Sequence, residues 1–431
     1  MESVHKPTSE TLDPDSRFLE LDVLRGFALF GVLLVNMLLF AYPSVYFPPL
    51  ETPGLGIINR FSEGAVRVVA EASFYTIFAA LFGLGFALQI ERARRSGSSS
   101  DTNASRSNKY GRMTPALKDR LNKMRRRLLV IFALGLLHGT LLWTGDILAL
   151  YALAGVVLLF AYRLRNRDLL LLTATGFCVS FVLFWMHALD AQGPRAVGYI
   201  SQAFSVYRDG AYAEITLLRA EEFASALVGQ LIRWGPQIAA LFLLGLVLGR
   251  RLLEYGTFGD TRTLNRTILI GSLIGAPIKL AYALELGLEI LDPLSSAFLR
   301  ALTVGFGGPA LGFAYVALML RALQHPWLRK ALTPLSAVGR TAMSNYILQS
   351  VVCTYLFYGY GLGLYGEFGA TTGIGLTVAI FAFQIPLSVL WLRRFRFGPL
   401  EWATRSLTYG TVQPLLRPRS NARNPSPSPR R

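Results

Sequence analysis

The chain reads as an all-α, polytopic integral membrane protein of about ten transmembrane helices with both termini cytoplasmic, and three observations predict it. Its 431 residues are 52% hydrophobic against 16% charged, with a mean hydropathy of +0.42, a balance foreign to ordinary soluble domains. Apolar runs near the length of about 20 residues that crosses a bilayer as a helix recur along the whole sequence. Charge is segregated between them: residues 91–127 hold twelve Lys/Arg and three Asp/Glu, and residues 393–431 hold nine Arg and one Glu, the whole of the net +17.

The runs fall near 26–42, 65–89, 128–143, 147–162, 168–187, 224–249, 265–286, 297–320, 334–358 and 372–392. The first follows an acidic, Pro-containing stretch and is itself followed by Tyr42-Pro43, so it is expected to persist as a helix instead of being cleaved as a signal peptide. The second leads into the basic loop 91–127, which the Lys/Arg excess places in the cytoplasm. The third and fourth are short and meet at Trp143-Thr144-Gly145-Asp146, a tight hairpin that either crosses fully or re-enters. Arg163, Arg165 and Arg167 mark the next inner turn. The long segment 188–223 carries Asp190, Asp209, Glu214, Glu221 and Glu222, the acidic bias of an outer loop. Its Tyr207–Glu214 stretch suits either sugar binding or loop packing. Arg250, Arg251 and Arg262, then Arg321, Arg329 and Lys330, bound the remaining inner turns, whereas Glu285, Glu289, Asp292 and Glu367 lie outside. One membrane domain, 17–414, is therefore expected between a disordered segment 1–16 and a disordered basic tail 415–431. The Ser96–Ser107 stretch reads as disordered as well. The basic segments either contact anionic membrane lipids, at about 1 kcal/mol per residue near the surface, or serve only to set topology.

Several function classes lose support. The positive charge is confined to membrane-flanking segments, so no nucleic acid is expected as a partner. Cys178 and Cys353 both lie in apolar runs and build neither a disulfide framework nor a zinc site. No phosphate-binding Gly-rich loop, His-Glu-x-x-His helix or Gly-x-Ser-x-Gly elbow is present, so ATP-driven transport, zinc proteolysis and serine hydrolysis lose support, no metal site is expected and no cofactor is expected to be tightly bound.

An ionisable side chain in a span costs about 2.5–3.5 kcal/mol and needs a partner or a function. Asp22 and Arg25, three apart, share a helical face as an ion pair or an interfacial anchor. Asn36 continues that stripe about 16 Å further along at 1.5 Å per residue. His138 sits inside the third run, and Asp146 eight residues later. Asp146 is expected to cap the following helix, and a turn that folds it back toward His138 would create a carboxylate–imidazole pair suited to general-base chemistry. Glu71 and Ser73 in the second run, and Ser344, Asn345 and Gln349 in the ninth, either line a substrate path or pack helices together.

The segments Arg17–Gly31, Leu137-His138-Gly139, Trp143–Leu148, Val338–Ser350, Phe397–Trp402 and Arg405–Gly410 resemble the bacterial YeiB-like membrane proteins, and the likeness spans Arg17 to Pro414. That family looks like a branch of the transmembrane acyltransferases, which O-acylate bacterial surface glycans or N-acetylate heparan glucosamine. The resemblance implies a bacterial plasma (inner) membrane location, acyl-CoA as co-substrate and a glycan or small-metabolite acceptor on the far side. In the O-acyltransferase branch an Arg at the inner end of the first helix is followed by an essential His; here Arg25 matches and Asn36 stands at the His position. Either His138 takes over the proton-handling role as general base, oriented by Asp146, or this branch has lost or changed the chemistry. Arg25, Arg125, Arg126 and Arg127 would hold the CoA phosphates, and Asn36 a carbonyl or the acceptor. A permease or exporter with a proton-relaying His138 is the alternative, and a non-catalytic partner in envelope assembly a third. The oligomeric state is left open.

Overall fold

The computed structural model describes residues 18–42, 56–98, 114–190, 195–288 and 290–417. The segment 1–16, most of Ser96–Ser107 and the tail beyond 417 lie outside the described residues. Within them the chain is mainly helical, with no β-strand, as expected of backbone that must satisfy its own hydrogen bonds in lipid.

Among the described residues, seven helical stretches are long and apolar enough to cross a membrane: Leu19–Ala41, Ile57–Arg94, Asn166–His187, Tyr212–Tyr255, Thr261–Leu288, Pro293–Leu323 and Ala370–Arg394. They correspond to seven of the ten apolar runs. The other three depart from a plain span, each for a visible reason. The third run is the distal half of α4 (Pro115–Leu141), whose proximal half carries the basic residues. The fourth is broken into α5 (Leu148–Gly155) and α6 (Leu158–Ala161). The ninth divides at Thr341 into α14 (Leu335–Arg340) and α15 (Ala342–Phe357).

α1 (Leu19–Ala41) is followed by α2 (Ile57–Val69) and α3 (Phe74–Ser98), joined through Ala72 in the left-handed region, φ 59°. α7 (Asn166–Asp190) precedes the segment 188–223, which the sequence presents as a loop. In the structure the described residues of that segment are the end of α7, α8 (Arg195–Asp209) and the first turns of α9 (Tyr212–Tyr255). At 44 residues, α9 is about 66 Å long, far beyond the roughly 30 Å of a hydrocarbon core, so its first turns stand clear of the spanning layer. α10 (Thr261–Leu288), α11 (Pro293–Leu302), a π-helical turn at Thr303–Gly307 and α12 (Gly308–Leu323) follow. The short α13 (Pro326–Leu332) leads to α14 and α15, and α16 (Ala370–Arg394) and α17 (Pro399–Tyr409) follow.

Because lipid tails are as apolar as leucine, these helices associate through close packing and polar ties. α9 meets α3 where Gly245 lies on the Ala80 carbonyl and Gly83 on that of Phe242. α1 meets α14 in the same way, Gly339 against the Asp22 carbonyl and Gly26 against that of Leu335; a Cβ at either glycine would overlap the facing backbone. α7, α10 and α16 leave large apolar side chains such as Leu171, Leu273 and Phe383 uncovered and form the lipid-facing periphery. Basic residues gather at one end of the bundle, where Arg250 donates to the carbonyls of Tyr162 and Leu164 and closes the α6–α7 turn.

Candidate active site

α4 ends where the His138 carbonyl accepts from Leu142 and Trp143, and the chain turns back through Gly145. Asp146 Oδ1 then accepts from the backbone N–H of Ala149 at 2.7 Å, capping α5 as the sequence predicts. The same turn brings Asp146 Oδ2 to 2.8 Å from His138 Nδ1. The carboxylate accepts, which assigns the Nδ1 proton and leaves Nε2 basic. From α15, the Ser350 hydroxyl reaches Nε2, also at 2.8 Å, whereas its second acceptor, the Tyr346 carbonyl, is 3.4 Å away. All three residues are buried: His138 and Ser350 are 1% exposed and Asp146 4%. The result is a serine–histidine–aspartate relay held on three separate segments, α4, the turn before α5, and α15. α4 and α15 belong to two of the runs that depart from plain spans and the turn carrying Asp146 leads into the third, which fits the placing of polar sites at interrupted helices.

A cavity of about 540 Å³ opens at the basic end and runs toward this relay. Its mouth is drawn from five helices: Arg25 of α1, Arg92 of α3, Arg120, Lys123 and Arg127 of α4, Arg340 of α14 and Arg405 of α17. Against these seven cations stand two carboxylates, Asp22 and Glu401. Asp22 accepts from Arg25 at 2.8 Å, the ion pair their spacing allows. Glu401 is committed to α15, accepting from the N–H of Met343 at 2.7 Å, the N–H of Ser344 at 3.1 Å and the Ser344 hydroxyl at 2.5 Å. Burial raises the Glu401 carboxyl above its ordinary range despite those donors. Burial also acts to raise the Tyr409 hydroxyl, but the hydrogen bond from Arg120 and the charges of Arg120 and Arg405 outweigh it and hold that group low. The potential at the mouth is therefore strongly positive. Deeper, the lining turns apolar through Leu29, Val32, Phe78, Ile131, Ile147 and Leu148, and includes Tyr346. The Tyr346 ring lies 5.1 Å from the imidazole of His138, and its hydroxyl donates to the Gly145 carbonyl at 3.3 Å. One aromatic side chain thus belongs both to the cavity wall and to the surroundings of the relay.

The remaining candidates from the sequence are dispersed. Arg127 lines the cavity, but Arg125 and Arg126 are exposed and absent from its wall, because α4 turns positions 120, 123 and 127 to one face and 125 and 126 to another. Asn36 is half-buried on α1, beyond the lining residue Val32. Ser344 ties α15 to α17 through Glu401. Asn345 donates to Thr341 and Ser388, and Gln349 to Gln384, so this face joins α15 to α16. Glu71 belongs to a second buried cluster, 3.7 Å from Arg67, which also pairs with Glu63 at 2.7 Å. Lys279 donates to the Glu71 carbonyl at 2.6 Å and the Ser73 hydroxyl at 2.9 Å.

Reasoning from sequence overlooked Ser350, Tyr346, Lys279 and Arg219. Lys279 was legible as a lone lysine in an apolar run. Arg219, fully buried in the first turns of α9, closes α4 by donating to the Leu141 carbonyl and faces the Tyr358 ring at 5.4 Å. For Ser350 the only signal was its place four residues after Tyr346 on one helical face. Among the described residues no cluster of three or more His, Cys, Asp or Glu can hold a metal ion.

A family model described as "Protein of unknown function (DUF418)" matches residues 250–411. The uncharacterised protein YxaH of Bacillus subtilis (strain 168) is 30% identical over 417 residues, covering 92% of this chain and 95% of the relative. The uncharacterised protein YeiB of Escherichia coli (strain K12) is 28% identical over 411 residues, covering 93% and 98%. An uncharacterised 39.9 kDa protein from the amylase 3' region of Bacillus acidopullulyticus is 28% identical over 410 residues, covering 94% and 98%. No solved structure matches the chain. With near full-length likeness to these proteins and the C-terminal match to the family model, the chain belongs to the YeiB-like DUF418 family of membrane proteins.

Proposed function

We propose that the protein is a membrane acyltransferase that accepts an acyl group from acyl-CoA at its basic, cytoplasmic end and delivers it to a hydroxyl or amine acceptor on the opposite side. The observation that carries this reading is the graded cavity, cationic at its mouth, apolar in its depth and closed by a tyrosine that packs on a histidine poised as a base. A CoA thioester has the matching gradient: a phosphorylated nucleotide at one end, a long neutral arm, and a reactive carbonyl joined to an apolar chain at the other. Arginine forks at the mouth suit bidentate phosphate binding. A volume of about 540 Å³ falls within the range of ordinary ligand sites.

His138, with its Nδ1 proton given to Asp146, is the base that takes a proton from the attacking group at Nε2. The eleven residues from Arg127 to His138 rise about 16 Å along α4, so donor phosphates at the mouth and a carbonyl near the relay are compatible with one extended ligand. Asn36 stands at a comparable distance from Arg25 on α1, where an amide can orient a carbonyl or the acceptor without handling its proton.

The test is purified protein in lipid nanodiscs with acetyl-CoA, measuring binding and release of free CoA beside a His138→Ala control. Binding with His138-dependent release is expected. Failure to bind at millimolar donor, with solute flux through liposomes bearing the protein and no covalent product, would replace this reading with that of a permease.

A further inference from the structure

We infer that Ser350 is the nucleophile of the relay and carries the acyl group as a covalent ester between donor and acceptor. The inference rests on the acyltransferase reading above and adds an intermediate to it. Three features lead there. First, Nε2, the one imidazole nitrogen left to act as a base, is already engaged by the Ser350 hydroxyl at 2.8 Å, with both residues 1% exposed. An acceptor hydroxyl would have to expel Ser350 to reach it. Second, the tautomer set by Asp146 is the one that draws the Ser350 proton toward Nε2 and sharpens its oxygen as a nucleophile. Third, the relay is deep: Ser350 lies eight residues, about 12 Å, into α15 from its start at the basic end. Direct transfer would require donor and acceptor to meet there together from opposite sides. An ester in mid-protein lets each half-reaction face one side only.

The chemistry balances in two steps. Ser350 Oγ attacks the thioester carbonyl, the O–C bond forms and the C–S bond breaks. The serine proton passes to His138 Nε2 and from there to the departing CoA sulfur, leaving free CoA and acyl-Ser350. An acceptor O–H or N–H then attacks the ester carbonyl, its proton passing to Nε2 and on to Ser350 Oγ as the ester bond breaks. Tyr346, shared by cavity wall and imidazole, is the side chain whose displacement admits the thioester to Ser350.

The experiment is exchange of isotopically labelled CoA into unlabelled acetyl-CoA by the full chain in nanodiscs, without acceptor, with acid-quenched samples mapped by peptide mass spectrometry. The wild type is expected to exchange label and to carry the mass of one acetyl group on the peptide containing Ser350. Ser350→Ala should abolish both while still binding donor, since Ser350 is not on the cavity wall, and Ser350→Cys should retain exchange through a thioester. His138-dependent CoA release with no exchange, no adduct and an active Ser350→Ala variant would overturn the serine intermediate and leave the acyltransferase standing. Absence of donor binding, release and exchange in the wild type would overturn both.

Discussion

Replacing Asp146 by Asn separates the chemistry of the relay from its architecture. Asparagine has the same shape, so its Oδ1 keeps the 2.7 Å bond from the Ala149 N–H that caps α5. The other arm becomes an NH₂ group 2.8 Å from His138 Nδ1, and that donor forces Nδ1 to accept. The imidazole proton moves to Nε2, which can then donate to Ser350 but no longer take its proton. A histidine fixed in the wrong tautomer costs about 10⁴ in turnover in serine hydrolases, or about 5.5 kcal/mol in the barrier. The fold should lose much less. One hydrogen bond changes partner roles and the amide adds a second N–H to a buried site, so about 1–3 kcal/mol of stability is at stake. The assay pairs CoA release in nanodiscs with thermal unfolding of the same preparation. Release within tenfold of wild type would refute the assigned proton positions. A large loss of unfolding temperature in step with activity would show that the pair serves the fold alone.

Arg127→Ala and Arg405→Ala should each weaken acetyl-CoA binding by about tenfold or more, the scale of one lost charge-assisted contact, and the remaining affinity should fall with added salt. Arg125→Ala and Arg126→Ala, on the exposed face of α4, should leave the dissociation constant within a factor of two or so in the same titration. Glu401 couples α17 to pH. Its folded-state pKa is raised by burial, so the folded protein binds the proton more tightly than the unfolded chain, and stability falls as pH rises from the ordinary carboxylate range through that raised value. Thermal unfolding between acid and neutral pH should show this slope in the wild type and a reduced one in Glu401→Gln. Lys279→Met removes the donor to the Glu71 carbonyl and should cost about 1–3 kcal/mol of stability by chemical denaturation while leaving donor binding unchanged, since its cluster lies apart from the cavity.

The two parts of the site were unequally legible. Apolar runs and the sign of flanking charge suffice for an all-α membrane protein, because in lipid the backbone has no other way to satisfy itself. His138 and Asp146 could be paired because a short turn containing glycine leaves few places for the aspartate to go. Ser350, 212 residues after His138, is joined to it only by tertiary packing, and its identity as one small polar group in an apolar helix gives no direction. The same limit explains the arginines: Arg125, Arg126 and Arg127 are equivalent as a run of charge, and only the rotation of α4 within the bundle selects Arg127. The break at Thr341 was illegible for a related reason, since the docking of Glu401 from α17 helps to satisfy the start of α15.

The glycine contact between α1 and α14 bears on how the protein is made. Gly26 and Gly339 are separated by about 310 residues, which at roughly 5–20 residues per second is about 15–60 s of synthesis. For that interval the first helix waits in the bilayer without the partner that seals its polar inner end, and Asp22 and Arg25 have chiefly each other to offset their cost in lipid. The mouth of the cavity closes last of all, when α17 emerges and seats Glu401 on Ser344. A chain halted between α16 and α17 holds all the long apolar helices found among the described residues, yet lacks the α17 side of the cavity mouth, Glu401 and Arg405.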